Sequence, residues 1–201
     1  MPDSTREHRP STQVLVTRGD VESLTCALMI EQASGSGARL IHLERDDATG
    51  QQCARCARLQ AELLEVELEV VATSPTMPRW IQELCTGLEL AGPAGRLHWP
   101  QRCGPDADAV AATFEFIQHV REARALSTRE PSSIVETPLI DLDPVQTLEL
   151  AFDLDAPLDA SWPCQPGEEA AFEASATGTE WREALSQLGR EWPWGTLQPV
   201  Q

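Results

Sequence analysis

The sequence predicts an α/β fold in which helices cover both faces of a five-stranded parallel sheet. Short apolar stretches rich in β-branched residues alternate along the chain with longer stretches whose apolar residues recur at helical spacing. Turns that contain glycine or proline separate the two kinds of stretch. Such alternation is typical of βαβ units, whose right-handed crossovers make neighbouring strands parallel.

The strands are predicted from apolar runs that are bounded by turn residues and are too short for a helix. The first is the β-branched run at 14–17, and the last ends before Pro138, which has no N–H to donate to a sheet. The five predicted strands cover residues 14–17, 38–43, 68–72, 96–99 and 133–137.

The helices are predicted from apolar residues three and four positions apart and from residues typical of helix ends. The first follows a turn at 18–20 and ends before the glycine–serine stretch at 34–37. Asp143 and Pro144 suit the N-cap and the first position of the fifth helix. The other predicted helices cover residues 51–65, 80–90, 106–126 and 179–190, and the fifth runs to residue 154.

The charge of the chain argues against several classes of function. Of the 201 residues, 32 are acidic and 15 are basic, which gives a formal net charge of −17. Such a surface repels nucleic acid and anionic lipid, so we expect neither as a partner. No apolar run approaches the ~20 residues that span a bilayer, and the first ten residues lack the apolar core of a signal peptide. We therefore expect a cytoplasmic protein whose six cysteines are thiols.

The length predicts one domain over residues 12–190, with a disordered leader at 1–11 and an irregular C-terminal tail at 191–201. Trp181, Trp192 and Trp194, near the end of the chain, have two interpretations. The first is an exposed patch for a protein partner, because aromatic residues are enriched at interfaces. The second is that the rings cap the domain's own core. We favour the second.

The turn after the first strand is the first candidate site. Arg18, Gly19 and Asp20 join a buried strand to a helix N-terminus, where unpaired N–H groups and the positive end of the helix dipole attract anions. The hydroxyl of Ser23 adds a donor. The alternative is that the turn only connects two elements, since an isolated glycine loop is a weak motif.

Two acidic residues follow the second strand. Asp46 and Asp47 lie in the charged loop at 44–50. Because ligands bind at the carboxyl edge of open parallel sheets, we expect this loop and the first turn to share a crevice. The two carboxylates are candidates for contacts with Mg²⁺ or a second ligand; the plainer interpretation is that they are solvated loop acids.

Cys53 and Cys56 form a CxxC pair in the second predicted helix. The pair has three interpretations: half of a zinc site, a redox pair, or two small apolar side chains in the core. A zinc site needs four ligands, and the other cysteines are scattered. Core packing is favoured, together with Leu59, Leu63 and Leu64 on the same side of the helix.

Two motifs resemble those of a known family. The loop after the first strand reads RGDVES at 18–23, and a later run reads ETPLIDL at 136–142, followed by a helix and by SWPCQPGEE at 161–169. In order and spacing they resemble the PP-loop ATP pyrophosphatases, in particular the 7-cyano-7-deazaguanine synthase branch, whose loop reads S-G-G-x-D-S. The resemblance covers about residues 13–190. It implies a Rossmann-like sheet of the HUP type, ATP and Mg²⁺ as cofactors, a place in queuosine biosynthesis, and a homodimer.

The departures from the family pattern change the phosphate loop. In the family, two glycines let backbone N–H groups approach the ATP phosphates, but the second is Asp20 here, a carboxylate beside the polyphosphate. Arg18 replaces the first serine and can pair with a phosphate. Glu22 replaces an aspartate, and Ser23 is retained. The resemblance thus assigns to the degenerate phosphate loop the residues Arg18, Gly19, Asp20, Val21, Glu22 and Ser23.

The four-cysteine zinc site of the family is also reduced. Cys164 is present, but the other three positions align with Ala171, Ala174 and Thr177. One thiolate cannot form a tetrahedral site, so we expect no zinc of the family type.

These losses favour a degenerate member, a pseudoenzyme that acts as a nucleotide-binding or assembly module, with a protein partner or a second copy. In the family reaction, ATP activates a carboxylate as an adenylate, and ammonia converts it through an amide to a nitrile.

Two rival hypotheses remain open. One is an active ATP-dependent, adenylate-forming C–N ligase or amidotransferase-like enzyme acting on a 7-deazaguanine-type or other carboxylate. Arg18, Gly19 and Ser23 would then hold phosphates, Glu22 would help to place Mg²⁺, and Asp46 or Asp47 would contact the second ligand. The other rival is a redox module at the CxxC pair.

Overall fold

The computed structural model describes residues 12–74, 76–129, 133–161 and 176–194. The strands in these ranges are β1 (Gln13–Thr17), β2 (Arg39–Glu44), β3 (Leu68–Ala72), β4 (Arg96–His98) and β5 (Ile134–Glu136). The helices are α1 (Val21–Ser34), α2 (Ala48–Leu63), α3 (Arg79–Ala91), α4 (Ala107–Thr128), α5 (Pro144–Asp153) and α6 (Ala176–Gln187), with a 3₁₀ turn at Leu158–Ala160. No helix in the described ranges combines the length and the apolar composition that a membrane crossing requires.

The five strands form one parallel sheet in the order β3-β2-β1-β4-β5. The predicted fold class is confirmed. The chain first adds strands on one side of β1 and then crosses to the other side with β4. The topological switch point, where open α/β sheets bind ligands, therefore lies between β1 and β4.

Both faces of the sheet are covered, because strand residues point alternately to the two sides. On one face Val14 and Val16 pack against α3 and α4, and on the other Leu15 packs against α1 and α2. A third apolar cluster joins α1, α5 and α6. Val21, which follows the turn after β1, packs in this third cluster, so the start of α1 is held against α5 and α6.

The helix ends follow the residues that predict them. Asp143 accepts a hydrogen bond from Gln146 N in a capping box, and Pro144 is the first residue of α5. Gly35 ends α1 in the left-handed conformation. α2 begins three residues earlier than predicted, because Asp47 caps it by accepting from Gly50 N at 2.6 Å.

The tryptophans cap the domain's own core, as favoured. Trp181 is fully buried and Trp194 nearly so, with Nε1 of Trp194 donating to the carbonyl oxygen of Leu158 at 2.7 Å. Trp192 packs against the same cluster. Residues 191–194 are irregular, but their rings pack as part of the domain, so the core extends beyond residue 190.

The inner side of α2 differs from the prediction. Cys53 and Cys56 are buried, but Leu59 is 37% exposed and Leu63 is 54% exposed. α2 lies so close to the loop after β1 that only small side chains fit between them, and an ideal Cβ on Gly19 would lie 2.3 Å from the carbonyl oxygen of Cys53. The large leucines therefore face outward.

Candidate functional site

The candidate phosphate loop lies between β1 and the N-terminus of α1, at the carboxyl edge of the sheet. The side chains of this loop are buried, and three of them are charged. The charged ones are Arg18, Asp20 and Glu22, and the other two are Val21 and Ser23. Charged groups in such a place require partners, since an unpaired buried charge is costly. The partners show what the loop is able to bind.

Asp20 occupies the place where an anion would meet the N-terminus of α1. Its Oδ1 accepts hydrogen bonds from the backbone N–H and from the hydroxyl of Ser23, the former at 2.8 Å. The Ser23 oxygen accepts from the N–H of Arg18 at 2.9 Å, and the N–H of Gly19 donates to Oγ1 of Thr17 at 3.0 Å. The chain's own carboxylate and hydroxyls therefore take up the donors that would otherwise face a phosphate.

Gly19 has a structural reason to be glycine. Its φ is +72°, and a Cβ there would collide with the backbone of α2. Both conditions select glycine whether or not a ligand binds. Gly19 therefore does not by itself indicate phosphate binding.

Arg18 points away from the loop and into a buried ion pair. Its Nη2 lies 2.7 Å from Oε2 of Glu83, and its Nε donates to the same carboxylate. Glu83 also accepts from Nε of Arg79 and from Nε1 of Trp99, each at 2.9 Å. Burial opposes the ionisation of Glu83, but Arg18, Arg79 and the hydrogen bond from Trp99 together outweigh it and lower the carboxyl pKa to about 2. The carboxylate that Arg18 binds in this structure is that of Glu83.

Glu22 belongs to a second buried network. Nε of Arg102 lies 3.2 Å from Glu22, and Nη2 of Arg102 lies 2.8 Å from Glu180 on α6. The guanidinium stacks over Trp181 at 5.2 Å. Burial and, second to it, the nearby Asp20 raise the pKa of Glu22 to about 7, against the opposing effect of Arg102. Glu22 therefore connects α1 to α6 through an arginine.

A cavity of about 480 Å³ opens at the topological switch point. Its walls come from the loops after β1 and β4 and from α3 and α4: Arg18, Arg79, Trp80, Glu83, Trp99, Gln101, Ala112, Thr113 and Phe116. Trp80 and Phe116 meet edge to face with ring centroids 4.1 Å apart. The size and the mixture of aromatic and polar walls are typical of small-molecule sites. Two arginines and one carboxylate leave the cavity lining with one net positive charge.

Asp46 and Asp47 lie apart from this cavity. Asp47 caps α2 and pairs with Arg45, and Asp46 is exposed in the loop after β2. Neither contributes to the cavity walls. Their proposed contacts with Mg²⁺ or a second ligand remain predictions.

The CxxC pair is packed in the core. Burial raises the pKa of the Cys53 thiol to about 12 and that of Cys56 to about 11. Thiols with such pKa values are poor nucleophiles at neutral pH, so these values do not support the redox hypothesis. Within the described ranges, no three His, Cys, Asp or Glu side chains are grouped as metal ligands.

The family's zinc positions are mostly outside the described residues. Thr177 lies in α6, whereas Cys164, Ala171 and Ala174 are in the part of the chain that the structure does not describe. The expected lack of a family-type zinc site remains a prediction from the side-chain chemistry of those positions.

The loop does not fit the triphosphate of ATP. The N–H groups of Arg18, Gly19 and Ser23 already donate within the chain, and Asp20 places a negative charge among them. A bound phosphate would have to displace that carboxylate.

Sequence reasoning missed the partners that determine the chemistry of the loop. Glu83 stands in the inner face of α3, and Arg102 follows β4, where no motif marks either of them. The available signal was a charge among the apolar residues of a predicted helix, four positions after Arg79. That signal points to a buried acid but does not identify Arg18 as its partner.

The comparisons confirm the resemblance to 7-cyano-7-deazaguanine synthase over part of the chain. No protein-family model matches the chain. A 7-cyano-7-deazaguanine synthase of Acidobacterium capsulatum is 42% identical over 64 residues, which are 32% of this chain and 27% of that protein. Another, from Aliarcobacter butzleri, is 38% identical over 60 residues, 29% of this chain and 26% of that protein.

The sequence similarity is thus to 7-cyano-7-deazaguanine synthase, and the matched span is about a quarter of the length of these relatives. A solved structure of the U34-tRNA thiolase NcsA from Methanococcus maripaludis, with its 4Fe-4S cluster, aligns with a TM-score of 0.49 at 15% identity. The alignment covers 90% of this chain and 67% of NcsA.

Proposed function

We propose that this chain is a degenerate 7-cyano-7-deazaguanine synthase-like PP-loop protein, which acts as a nucleotide-binding or assembly module and lacks full catalysis. One observation carries the proposal: the carboxylate of Asp20 caps α1 from within the loop and accepts both donors of Ser23. A built-in anion at the N-terminus of the helix competes with a phosphate for the same N–H groups.

The electrostatics of the loop support the same proposal. Transfer of an adenylyl group requires a site that stabilises the charge of the polyphosphate and its metal ion. Here Arg18 is committed to Glu83, and Arg102 is shared between Glu22 and Glu180. Both arginines thus already contact carboxyl groups of the chain, and Asp20 adds repulsion.

The cavity between α3 and α4 supports a retained binding role. Its volume of about 480 Å³ and its aromatic walls suit a flat ring of nucleobase size. Such a ligand would contact Trp80 and Phe116 without placing a triphosphate on the loop. Binding without turnover is therefore the function that the two regions together support.

Calorimetry with ATP and Mg²⁺ tests the proposal. We expect the unaltered protein to bind with a dissociation constant weaker than about 1 mM. Asp20→Gly removes the built-in carboxylate and frees the N–H of Ser23, so it should strengthen ATP binding at least about tenfold, equivalent to about 1.4 kcal/mol. Asp46→Gly, which removes an equal charge from the exposed loop after β2, is the matched control and should change the affinity little.

Turnover of ATP would favour the rival hypothesis of an active adenylating enzyme. Release of AMP and pyrophosphate by the unaltered protein, abolished by Ser23→Ala, would overturn the proposal. Zinc content measured on the same sample tests the separate expectation that Cys164 alone cannot form the family-type zinc site.

A further inference from the structure

Arg79, the first residue of α3, lines the cavity at the topological switch point and has hydrogen-bond donors to spare. Its Nε donates to Glu83 at 2.9 Å, but its Nη1 and Nη2 are buried and have no hydrogen-bond partner among the described residues. Buried guanidinium N–H groups without acceptors cost free energy. A small rotation of this side chain, whose rotamer freedom is large, brings the Nη atoms to the cavity, where a bound molecule can supply the acceptor.

The N-terminus of α3 favours an anionic acceptor. No side chain among the described residues caps this helix, which begins after Pro78, whereas Asp20 caps α1. The positive end of the α3 dipole lies beside the cavity wall that Arg79 and Trp80 form, and it adds to the attraction for an anion. Of the two helix N-termini, that of α1 carries a built-in carboxylate and that of α3 does not.

The charges of the cavity walls suit one phosphate group better than three. Arg18 is committed to Glu83, so Arg79 supplies the available positive charge. A phosphate monoester carries about 1.5 to 2 negative charges at neutral pH. Mg²⁺ on a polyphosphate usually takes one or two protein carboxylates, but Glu83, which lines the cavity, is bound by both arginines and by Trp99. The walls therefore suit a monophosphate without a metal ion.

The aromatic walls suit the other end of such a ligand. Trp80 follows Arg79 in α3, and its ring meets that of Phe116 edge to face. A volume of about 480 Å³ lies within the range of sites for drug-sized ligands, so the cavity has room for a base, a sugar and a phosphate.

We propose that the cavity binds a nucleoside monophosphate without a metal ion, with the base against Trp80 and Phe116 and the phosphate on Arg79. The phosphate then lies at the start of α3 and not on the loop after β1. This inference rests on the proposed nucleotide-binding role of the cavity. It adds the charge class of the ligand and the residue that selects it.

Calorimetry in the presence of EDTA, with AMP and adenosine as probes, tests the contact between Arg79 and the phosphate. We expect the unaltered protein to bind AMP at least about tenfold more tightly than adenosine, since the pair differs only in the phosphate. Arg79→Gln should abolish this preference and leave the affinity for adenosine unchanged. Arg58→Gln, which removes an equal charge from an exposed ion pair with Glu44, is the matched control and should keep the preference.

Two further variants separate the phosphate from the base. Arg79→Lys keeps a positive charge and should retain part of the preference for AMP, because lysine binds phosphate as a point charge. Trp80→Leu should weaken the binding of AMP and adenosine by a similar factor and leave their ratio unchanged.

The outcomes distinguish this inference from the proposed function. Equal affinities for AMP and adenosine in the unaltered protein, or a preference for AMP that survives Arg79→Gln, would overturn the role of Arg79 and leave the binding role of the cavity in place. Failure of both probes to bind the unaltered protein would overturn that binding role and this inference together.

Discussion

Two regions at the same edge of the sheet are constructed in opposite ways. In the loop at 18–23, the buried charged side chains each have a partner within the chain, and Asp20 fills the anion position. In the cavity a short distance away, Trp80 and Phe116 leave about 480 Å³ open. Glu83 belongs to both regions, because it binds Arg18 and lines the cavity. The comparison indicates that a motif gives the position of a phosphate loop, whereas its neighbours decide whether the loop is available.

The largest expected effect comes from the carboxylate that the two regions share. Glu83→Gln leaves Arg18 and Arg79 without their buried counter-charge, and we expect a loss of about 3–5 kcal/mol in the free energy of unfolding. Urea denaturation at pH 7 measures this loss. Glu44→Gln, which breaks a solvent-exposed ion pair with Arg58, is the control and should cost less than about 1 kcal/mol. Equal losses in the two variants would contradict the buried role of Glu83.

The next effect tests the packing of the loop against α2. Gly19→Ala forces alanine into the left-handed backbone conformation and places its Cβ 2.3 Å from the carbonyl oxygen of Cys53. We therefore expect a loss of about 2–4 kcal/mol in the free energy of unfolding. Gly35→Ala has a similar φ of +66° with no atom within 4 Å of the new Cβ, and should cost about 1 kcal/mol. Equal losses of unfolding free energy at the two positions, measured by urea denaturation, would contradict the close contact between Gly19 and α2.

The pH dependence separates the two buried glutamates. The lowered pKa of Glu83 means that its stabilisation is complete above the unfolded value of about 4.3 and is lost as the pH falls toward about 2. The pKa of Glu22 is raised to about 7, so the folded state holds an extra proton between about pH 4.3 and 7. Its contribution to stability therefore declines as the pH rises through that window.

The glutamine of Glu22→Gln cannot ionise, so the stability of this variant should lack the decline with pH that Glu22 causes. Relative to the variant, we expect the unaltered protein to lose about 1–3 kcal/mol between pH 5 and pH 8, measured by urea unfolding at both values. A difference between the two proteins that is independent of pH would show that Glu22 is ionised throughout.

The smallest effect concerns reactivity and not stability. Cys53 and Cys56 lie behind the loop with pKa values raised to about 12 and 11. At pH 8 both should react with a disulfide reagent at least about 100-fold more slowly than the exposed Cys85 in the same chain. Mass spectrometry of the modified peptides gives the order of reaction. Fast labelling of Cys53 would indicate that the loop and α2 separate readily.

Much of the fold was predictable because the patterns that encode it are local. The β-branched run at β1 and the capping residues Asp143 and Pro144 each act over a few neighbours, and the structure places them as expected. The outward position of Leu59 and Leu63 was not predictable in the same way. Both helical faces of α2 contain apolar residues, and the close approach of Gly19 selects the face with the small ones.

The position of the candidate site followed from the chain, since the residues between a first parallel strand and its helix must lie at the carboxyl edge of the sheet. Through its resemblance to the family, the sequence by itself also predicts that Asp20 stands where that family has glycine. Only the tertiary structure decided that Asp20 caps α1 from within and that Arg18 pairs with Glu83, 65 positions along the chain. Contacts over such separations depend on how helices pack on the sheet, and a linear pattern of residue types does not carry that distance information.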